Sequence, residues 1–424
     1  MRVLIVNTSE RTGGAAVAAN RLMEALNNHG VKTKMLVREK TSGSLTVVGL
    51  PGKWLPQWHF LWERLVIYLH LHCSRKHLFE LDIANVGTDI TRLPEFKEAD
   101  VIHLHWINQG MLSLGDIRKI LRSGKPVVWT MHDIWPATAI CHYSRGCKNY
   151  TAECHHCQLL PHHGGRHDLA YRVWKGKQKM LQDESISYVT CSQWLAGEAK
   201  SSALLMGQKV TSIPNAIDTR VYCPADKIKA RQSVELPTDK KIILFVSQRV
   251  TDQRKGMDYL VASVQQLAEK YPEMKQEVAI AILGGHSEEL VNKLALPVYP
   301  LGYVNDERLI VNVYRSADVF VTPSLEDNLP NTIMEAMACG VPCIGFKVGG
   351  IPEEIDHLKN GYVAAYRDAE DLARGLHWVL AEADREALSA AAVQKVNRCY
   401  SQQSVALKYT EVYNEAIAQK HYKI

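Results

Sequence analysis

Two carboxylates set the first clue. In Ser324-Leu-Glu-Asp-Asn-Leu-Pro-Asn-Thr-Ile-Met-Glu-Ala-Met-Ala-Cys-Gly-Val-Pro342, Asp327 and Glu335 are separated by seven residues. They follow the apolar run 319–322, and a Pro-containing turn and a small-residue helix come between and after them. That order predicts strand, loop, helix, with both acids at the carboxyl edge of a sheet, where open α/β sheets bind ligands. Asp327 in the loop and Glu335 on the helix are placed to hold two ends of one polar ligand. The backbone of Asn328, Leu329, Pro330, Asn331 and Thr332 lies at the predicted helix start, where N–H donors and the helix dipole favour an anion or a hydroxyl-rich group.

Other residues carry chemistry by type and spacing. Thr12-Gly13-Gly14-Ala15 forms a tight βα turn suited to close backbone approach to a phosphate or an acceptor, without the full dinucleotide fingerprint. Cys141, Cys147, Cys154 and Cys157 fall in one segment ending in Cys-x-x-Cys, the arithmetic of a structural zinc site. His142, His155 and His156 are alternative ligands, and four unligated thiols in a surface loop are the other reading. Trp54, Trp58 and Trp62 recur at helical spacing within 53–76, with Leu65, Val66, Leu69 and Leu71 following and Lys53, Arg64, Arg75 and Lys76 nearby. Such a stretch either contacts a membrane interface or packs as a helix pair on the first domain.

The elements that must position these residues repeat in two halves. Apolar runs at 3–6, 33–37, 101–104, 127–131, 188–191 and 210–213 read as strands, with helices at 15–28 and 112–121. The rhythm restarts at 241–246 and continues through helix 257–269, strands 278–283 and 298–301, helix 307–314, strand 319–321 and helix 333–338. Alternation of this kind predicts parallel sheets covered by helices, an α/β architecture. At 424 residues, two domains are expected. No apolar run is long enough to span a bilayer. Met1-Arg2 leads directly into a strand-like run, so no leader is expected and the cysteines are expected to be reduced in a cytoplasmic setting. A net charge of +5 is too weak to argue for nucleic acid, and no basic stripe is interleaved with aromatics.

The acid string resembles a signature of the GT-B-fold retaining glycosyltransferases of family 4. There, two acids have seven residues between them and the second opens the string Glu-Ala-Met-Ala-x-Gly-x-Pro, as Glu335 to Pro342 does here. Asp327 stands where that family usually has Glu, and Asn328 and Asn331 replace its glycines. The resemblance implies two Rossmann-like domains facing each other across a cleft: an acceptor-side domain 1–214, a nucleotide-sugar domain 215–398, and a helical tail 399–424 crossing back to the first domain. It also implies that Arg249 and Lys255, in the strand–turn–helix Ser247 to Gly256, neutralise the leaving diphosphate. Glu335 would hold the ribose hydroxyls and Asp327 a hydroxyl of the donor sugar. His132, at a strand end, would touch the donor sugar, with His103, His105 and Asp133 as acceptor-side candidates. Reaction with retention on one face needs no catalytic metal. The segment Trp129-Thr-Met-His-Asp-x-Trp135 with the cysteine array is similar to the exopolysaccharide (colanic-acid-type) subset. The implied partners are a UDP- or GDP-sugar donor and a saccharide or lipid-linked acceptor at the inner face of the cytoplasmic membrane. A Rossmann oxidoreductase and a zinc-organised nucleic-acid-binding protein are the competing classes; neither accounts for the acid string.

Overall fold

The computed structural model describes residues 1–52 and 54–421. The chain divides into two compact units: one comprises residues up to Ala216 together with the chain from Val405 onward, the other Ile217–Ser404. The first division falls two residues beyond the sequence-based one (216 against 214).

The first unit is a seven-stranded parallel sheet: β1 (Arg2–Ser9), β2 (Lys32–Glu39), β3 (Val47–Gly49), β4 (Val101–Leu104), β5 (Val127–Met131), β6 (Ser187–Thr190) and β7 (Lys209–Ser212). Its spatial order is β3-β2-β1-β4-β5-β6-β7. The two-residue strand period sorts side chains to two faces. Val3, Ile5, Val101 and Val128 join Leu22 and Leu26 of the helix Gly14–Asn28, together with Val405, Tyr409 and Tyr413 of the final helix Gln402–His421. Leu4, Val6, Ile102 and Trp129 face the opposite layer, which includes Ile67, Ile117 and Trp174.

The second unit is a six-stranded parallel sheet: β8 (Lys241–Arg249), β9 (Val278–Gly285), β10 (Val298–Gly302), β11 (Val319–Thr322), β12 (Cys343–Phe346) and β13 (Gly361–Ala364), ordered β10-β9-β8-β11-β12-β13. Ile243, Phe245 and Val319 pack on Leu260 and Val264 of the helix Met257–Lys270; Ile242, Leu244 and Phe320 pack on Tyr314 and Met337. Two parallel sheets, each covered by helices, are the Rossmann-like pair that the βα rhythm predicts. In each unit the chain builds outward from the first strand in one direction and then in the other. The reversal lies between β1 and β4 in the first unit and between β8 and β11 in the second.

Tyr413 is fully buried and its hydroxyl lies 2.7 Å from His103 Nδ1, so the final helix is part of the first unit's core. Tyr413→Ala is expected to lower stability by about 3–5 kcal/mol. Tyr413→Phe, which removes only the hydrogen bond, is expected to cost about 1 kcal/mol. Urea unfolding followed by circular dichroism measures both.

Candidate functional site

In the second unit, the site forms where the strand order reverses. β8 and β11 pair through Val319–Ile243 and Phe320–Leu244, so the loops after these strands emerge side by side. The loop after β8 ends in the turn Gln253–Lys255 and then Gly256, whose left-handed backbone (φ 70°) starts the next helix. A Cβ at Gly256 would lie 1.9 Å from the Pro323 carbonyl, so only glycine lets the two loops meet. Gly349 obeys the same rule on the other side, where a Cβ would lie 1.7 Å from the Asp327 carbonyl.

Polar contacts lock the loops together. Lys255 Nζ donates to Asp327 Oδ2 at 2.6 Å, and Arg254 lies 3.7 Å from the same carboxylate. Arg254 also donates to the Glu326 carbonyl at 3.0 Å, and Leu325 N–H donates to the Arg254 carbonyl at 2.8 Å. Asp327 is buried. Burial pushes its carboxyl up, but Lys255 and Arg254 outweigh this and hold it below the usual carboxylate range. Glu335, on the helix Asn331–Ala338, is buried too and accepts a 2.6 Å hydrogen bond from Tyr314 OH. Pro330 caps that helix without a side-chain hydrogen bond, and Asn328 and Leu329 are buried ahead of it. Asn331 and Thr332 are half-buried, and the Arg249 side chain is exposed at the end of β8. The structure thus brings Lys255 and Asp327 into contact, where the sequence had assigned them to different parts of a ligand. Tyr314 had no local signal, because it meets Glu335 from another helix.

In the first unit, Gly13 (φ 89°) caps the helix that begins at Gly14. His105 Nδ1 and His132 Nε2 lie 2.9 Å apart, and His132 Nδ1 is 3.6 Å from the Cys191 sulfur. His105 Nε2 is buried without a hydrogen-bond partner. His103 stands further inside: its nitrogens contact Tyr413 OH and Thr130 Oγ1 at 2.7 and 2.8 Å, so it presents no nitrogen to an acceptor. Asp133 is likewise committed, accepting from Trp106 Nε1 (2.9 Å), Trp135 N–H (2.8 Å) and His142 Nδ1 (2.7 Å). Burial pushes the Asp133 carboxyl up; His142 more than offsets this and holds it low. His142 Nε2 reaches Asp82 at 2.5 Å, and Asp82 also pairs with Arg64. His142, an alternative zinc ligand by sequence, therefore has both nitrogens engaged by carboxylates.

The cysteine segment carries free thiols. Burial pushes Cys141 and Cys154 up to about 12 and Cys157 to about 11. Lys177 anchors the loop from beneath, donating to the carbonyls of Trp135 (2.5 Å) and Thr138 (2.9 Å). Among the described residues, no three His, Cys, Asp or Glu side chains are grouped to hold a metal ion. In the tryptophan segment, Lys53 lies outside the described residues; the rest forms one helix, Trp54–His70, followed by turns rather than a second helix. Among the described residues no helix is long and apolar enough to cross a membrane.

Comparison with known proteins bears on the family and the fold. Residues 12–221 match the family model described as Glycosyltransferase Family 4, and residues 240–382 match Glycosyl transferases group 1. The chain belongs to the glycosyltransferases. An uncharacterized glycosyltransferase of Methanocaldococcus jannaschii is 27% identical over 384 residues, covering 84% of this chain and 97% of the relative. A D-inositol 3-phosphate glycosyltransferase of Thermobispora bispora is 29% identical over 229 residues, which span 50% of this chain and 52% of that enzyme. Among solved structures, sucrose-phosphate synthase from Thermosynechococcus elongatus aligns over 99% of both chains with a TM-score of 0.67 and 19% identity. Anabaena HepE in complex with UDP aligns over 98% of this chain and 100% of its own, with a TM-score of 0.63 and 16% identity. These two likenesses carry the fold, GT-B, and the family models carry the enzyme class.

Burial depresses His103 to about 3 and His132 to about 4, and lowers His105 well below its usual value, so all three are neutral in the folded glycosyltransferase. His142 is raised to about 10: its two carboxylates outweigh the cost of burial. Unfolded histidines titrate near 6.5, so the unfolded state takes up extra protons below that pH and stability falls from about pH 6.5 toward about 4. His142 has the opposite sign: its contribution is complete below about 6.5 and is lost as pH rises through about 10. Compared with wild type, His132→Asn should therefore lose less denaturant midpoint as pH falls below about 6.5, and His142→Asn should lose less as pH rises from there toward about 10.

Proposed function

We propose that this glycosyltransferase transfers a sugar from a UDP- or GDP-sugar to a saccharide or lipid-linked acceptor, with retention of anomeric configuration, in polysaccharide assembly. The observation that carries the donor half is the contact of Lys255 with Asp327 at the switch point of the second sheet, in the loop that leads to the helix carrying Glu335. A diphosphate leaving group gains negative charge as the glycosidic bond breaks. Cations fixed in place before that moment favour the transition state over the ground state. Arg249 and Lys255 supply such charge, and Arg254 stays bound to the acid loop to hold its shape. Glu335, oriented by Tyr314, accepts hydrogen bonds from the ribose hydroxyls, and Asp327 accepts one from the donor sugar.

On the acceptor side, the loops after β1, β4 and β5 carry Gly13, Gly14, His105 and His132 at the carboxyl edge of the first sheet. His132 supports positive charge developing at the anomeric carbon; as a neutral ring, it adds no repulsion there. UDP as the nucleotide is supported by the HepE likeness, whose structures are complexes with UDP and UDP-glucose. Glu335→Ala and Lys255→Ala are each expected to lower turnover at least about a hundredfold while the far-ultraviolet circular dichroism is retained. Near-normal turnover in either purified variant contradicts the assignment.

The cysteine loop enters the proposal as a structural element that zinc at Cys141, Cys147, Cys154 and Cys157 would pin. Binding would release the thiol protons and draw the sulfurs together. Metal analysis of protein purified without a histidine tag is expected to give about one zinc per chain. Metal-free protein with a stable loop removes zinc from the account.

A further inference from the structure

The helix Trp54–His70 is turned the wrong way round for a surface helix. At 100° per residue, Trp54, Leu55, Trp58, Leu61, Trp62, Leu65 and Leu69 share one arc of about 120°. All seven are between 46% and 79% exposed. The residues facing the protein, Pro56, Glu63, Arg64 and Ile67, fall on the opposite side and include both of the helix's Glu and Arg side chains. Amphipathic helices of water-soluble domains place charge outward and apolar groups inward. Here the charges are buried and the tryptophans face out.

That inversion is built in. Glu63 accepts the backbone N–H groups of Ile83 and Ala84 at 2.9 and 2.7 Å. Arg64 pairs with Asp82 and donates to the Leu78 carbonyl at 2.7 Å. Gly110 lies so close that a Cβ there would meet Phe60 N at 2.6 Å. The helix cannot roll its apolar arc inward without breaking a buried ion pair, which typically costs several kcal/mol. The arc is therefore held outward, and an apolar surface of seven neighbouring exposed side chains points to an interaction site.

Charge and residue type select the occupant. Between residues 52 and 79 the only carboxylate is Glu63, and it is fully buried. Beyond the helix, Arg75 and Lys76 are exposed, and Phe79 adds a further exposed ring. Tryptophans on a carboxylate-free apolar face, with cations at its end, match the interface of an anionic bilayer: indoles sit at headgroup level and cations meet lipid phosphates. We infer that the Trp54–His70 helix docks the first unit on anionic phospholipid, lying in the interface and not crossing it. This inference stands apart from the donor chemistry, since none of these residues belongs to the proposed catalytic site.

Co-sedimentation of the full chain with vesicles tests it. Binding to phosphatidylcholine vesicles containing phosphatidylglycerol is expected to be about tenfold stronger than to phosphatidylcholine alone. The triple variant W54S/W58S/W62S should lose sedimentation with both at an unchanged melting temperature, and R75E/K76E should lose only the preference for phosphatidylglycerol. Failure of the wild type to sediment overturns the inference, as does binding that the triple variant retains. Light scattering that shows a dimer dissociated by the triple variant, with no vesicle binding, assigns the face to a second copy and overturns it as well.

Discussion

The loops at the switch point of the second sheet depend on one half-buried ion pair. Asp327 lies out of water, where an unpaired carboxylate is costly, and Lys255 with Arg254 neutralises it. The pair joins the loops after two adjacent strands at the point where the second sheet reverses its direction of growth. The loop after β11 is approached so closely, by the loop after β8 and by the loop after β12, that glycine is required at 256 and at 349. The same loop leads into the helix Asn331–Ala338, where Tyr314 holds Glu335. The groups that hold the loops together are the ones proposed above to engage a sugar diphosphate.

The first unit solves a related problem by different means. Its edge carries three neutral histidines backed by Tyr409 and Tyr413, which the final helix delivers from the far end of the chain. Next to it, Asp82, His142, Asp133 and Arg64 form a network of charges that is almost fully paired. That network has two consequences. It removes Asp133 from the pool of groups able to take a proton from an acceptor, and it anchors the tryptophan helix whose outer face is left apolar. The histidine-bearing edge and the tryptophan helix are thus tied to one polar core.

Much of the fold was legible because apolar runs of four or more residues, spaced by helical stretches, are how parallel strands are written. The runs at 101–104 and 127–131 coincide with β4 and β5. The strands Val47–Gly49, Cys343–Phe346 and Gly361–Ala364 went unread: each is short, and all three contain glycine, which weakens a local strand signal. The helices Leu169–Leu181 and Arg385–Cys399 carried no motif to draw attention to them. At the candidate site, local spacing singled out Asp327 and Glu335, and the family resemblance singled out Lys255. What spacing cannot show is a partner from elsewhere: Tyr314 against Glu335, or Asp82 against His142, 60 residues apart. His142 illustrates the cost, since its place among cysteines suggested a metal ligand while its role is a buried cation between two acids.

The central claim is that the Lys255–Asp327 corner of the second unit binds the diphosphate of a nucleotide-sugar. The most direct measurement is calorimetric titration of UDP and GDP into the wild-type chain and into Lys255→Ala. The account predicts saturable one-to-one binding of one of the two nucleotides, weakened at least about tenfold by the substitution. Binding of equal strength in both proteins, or of neither nucleotide to the wild type, would contradict it.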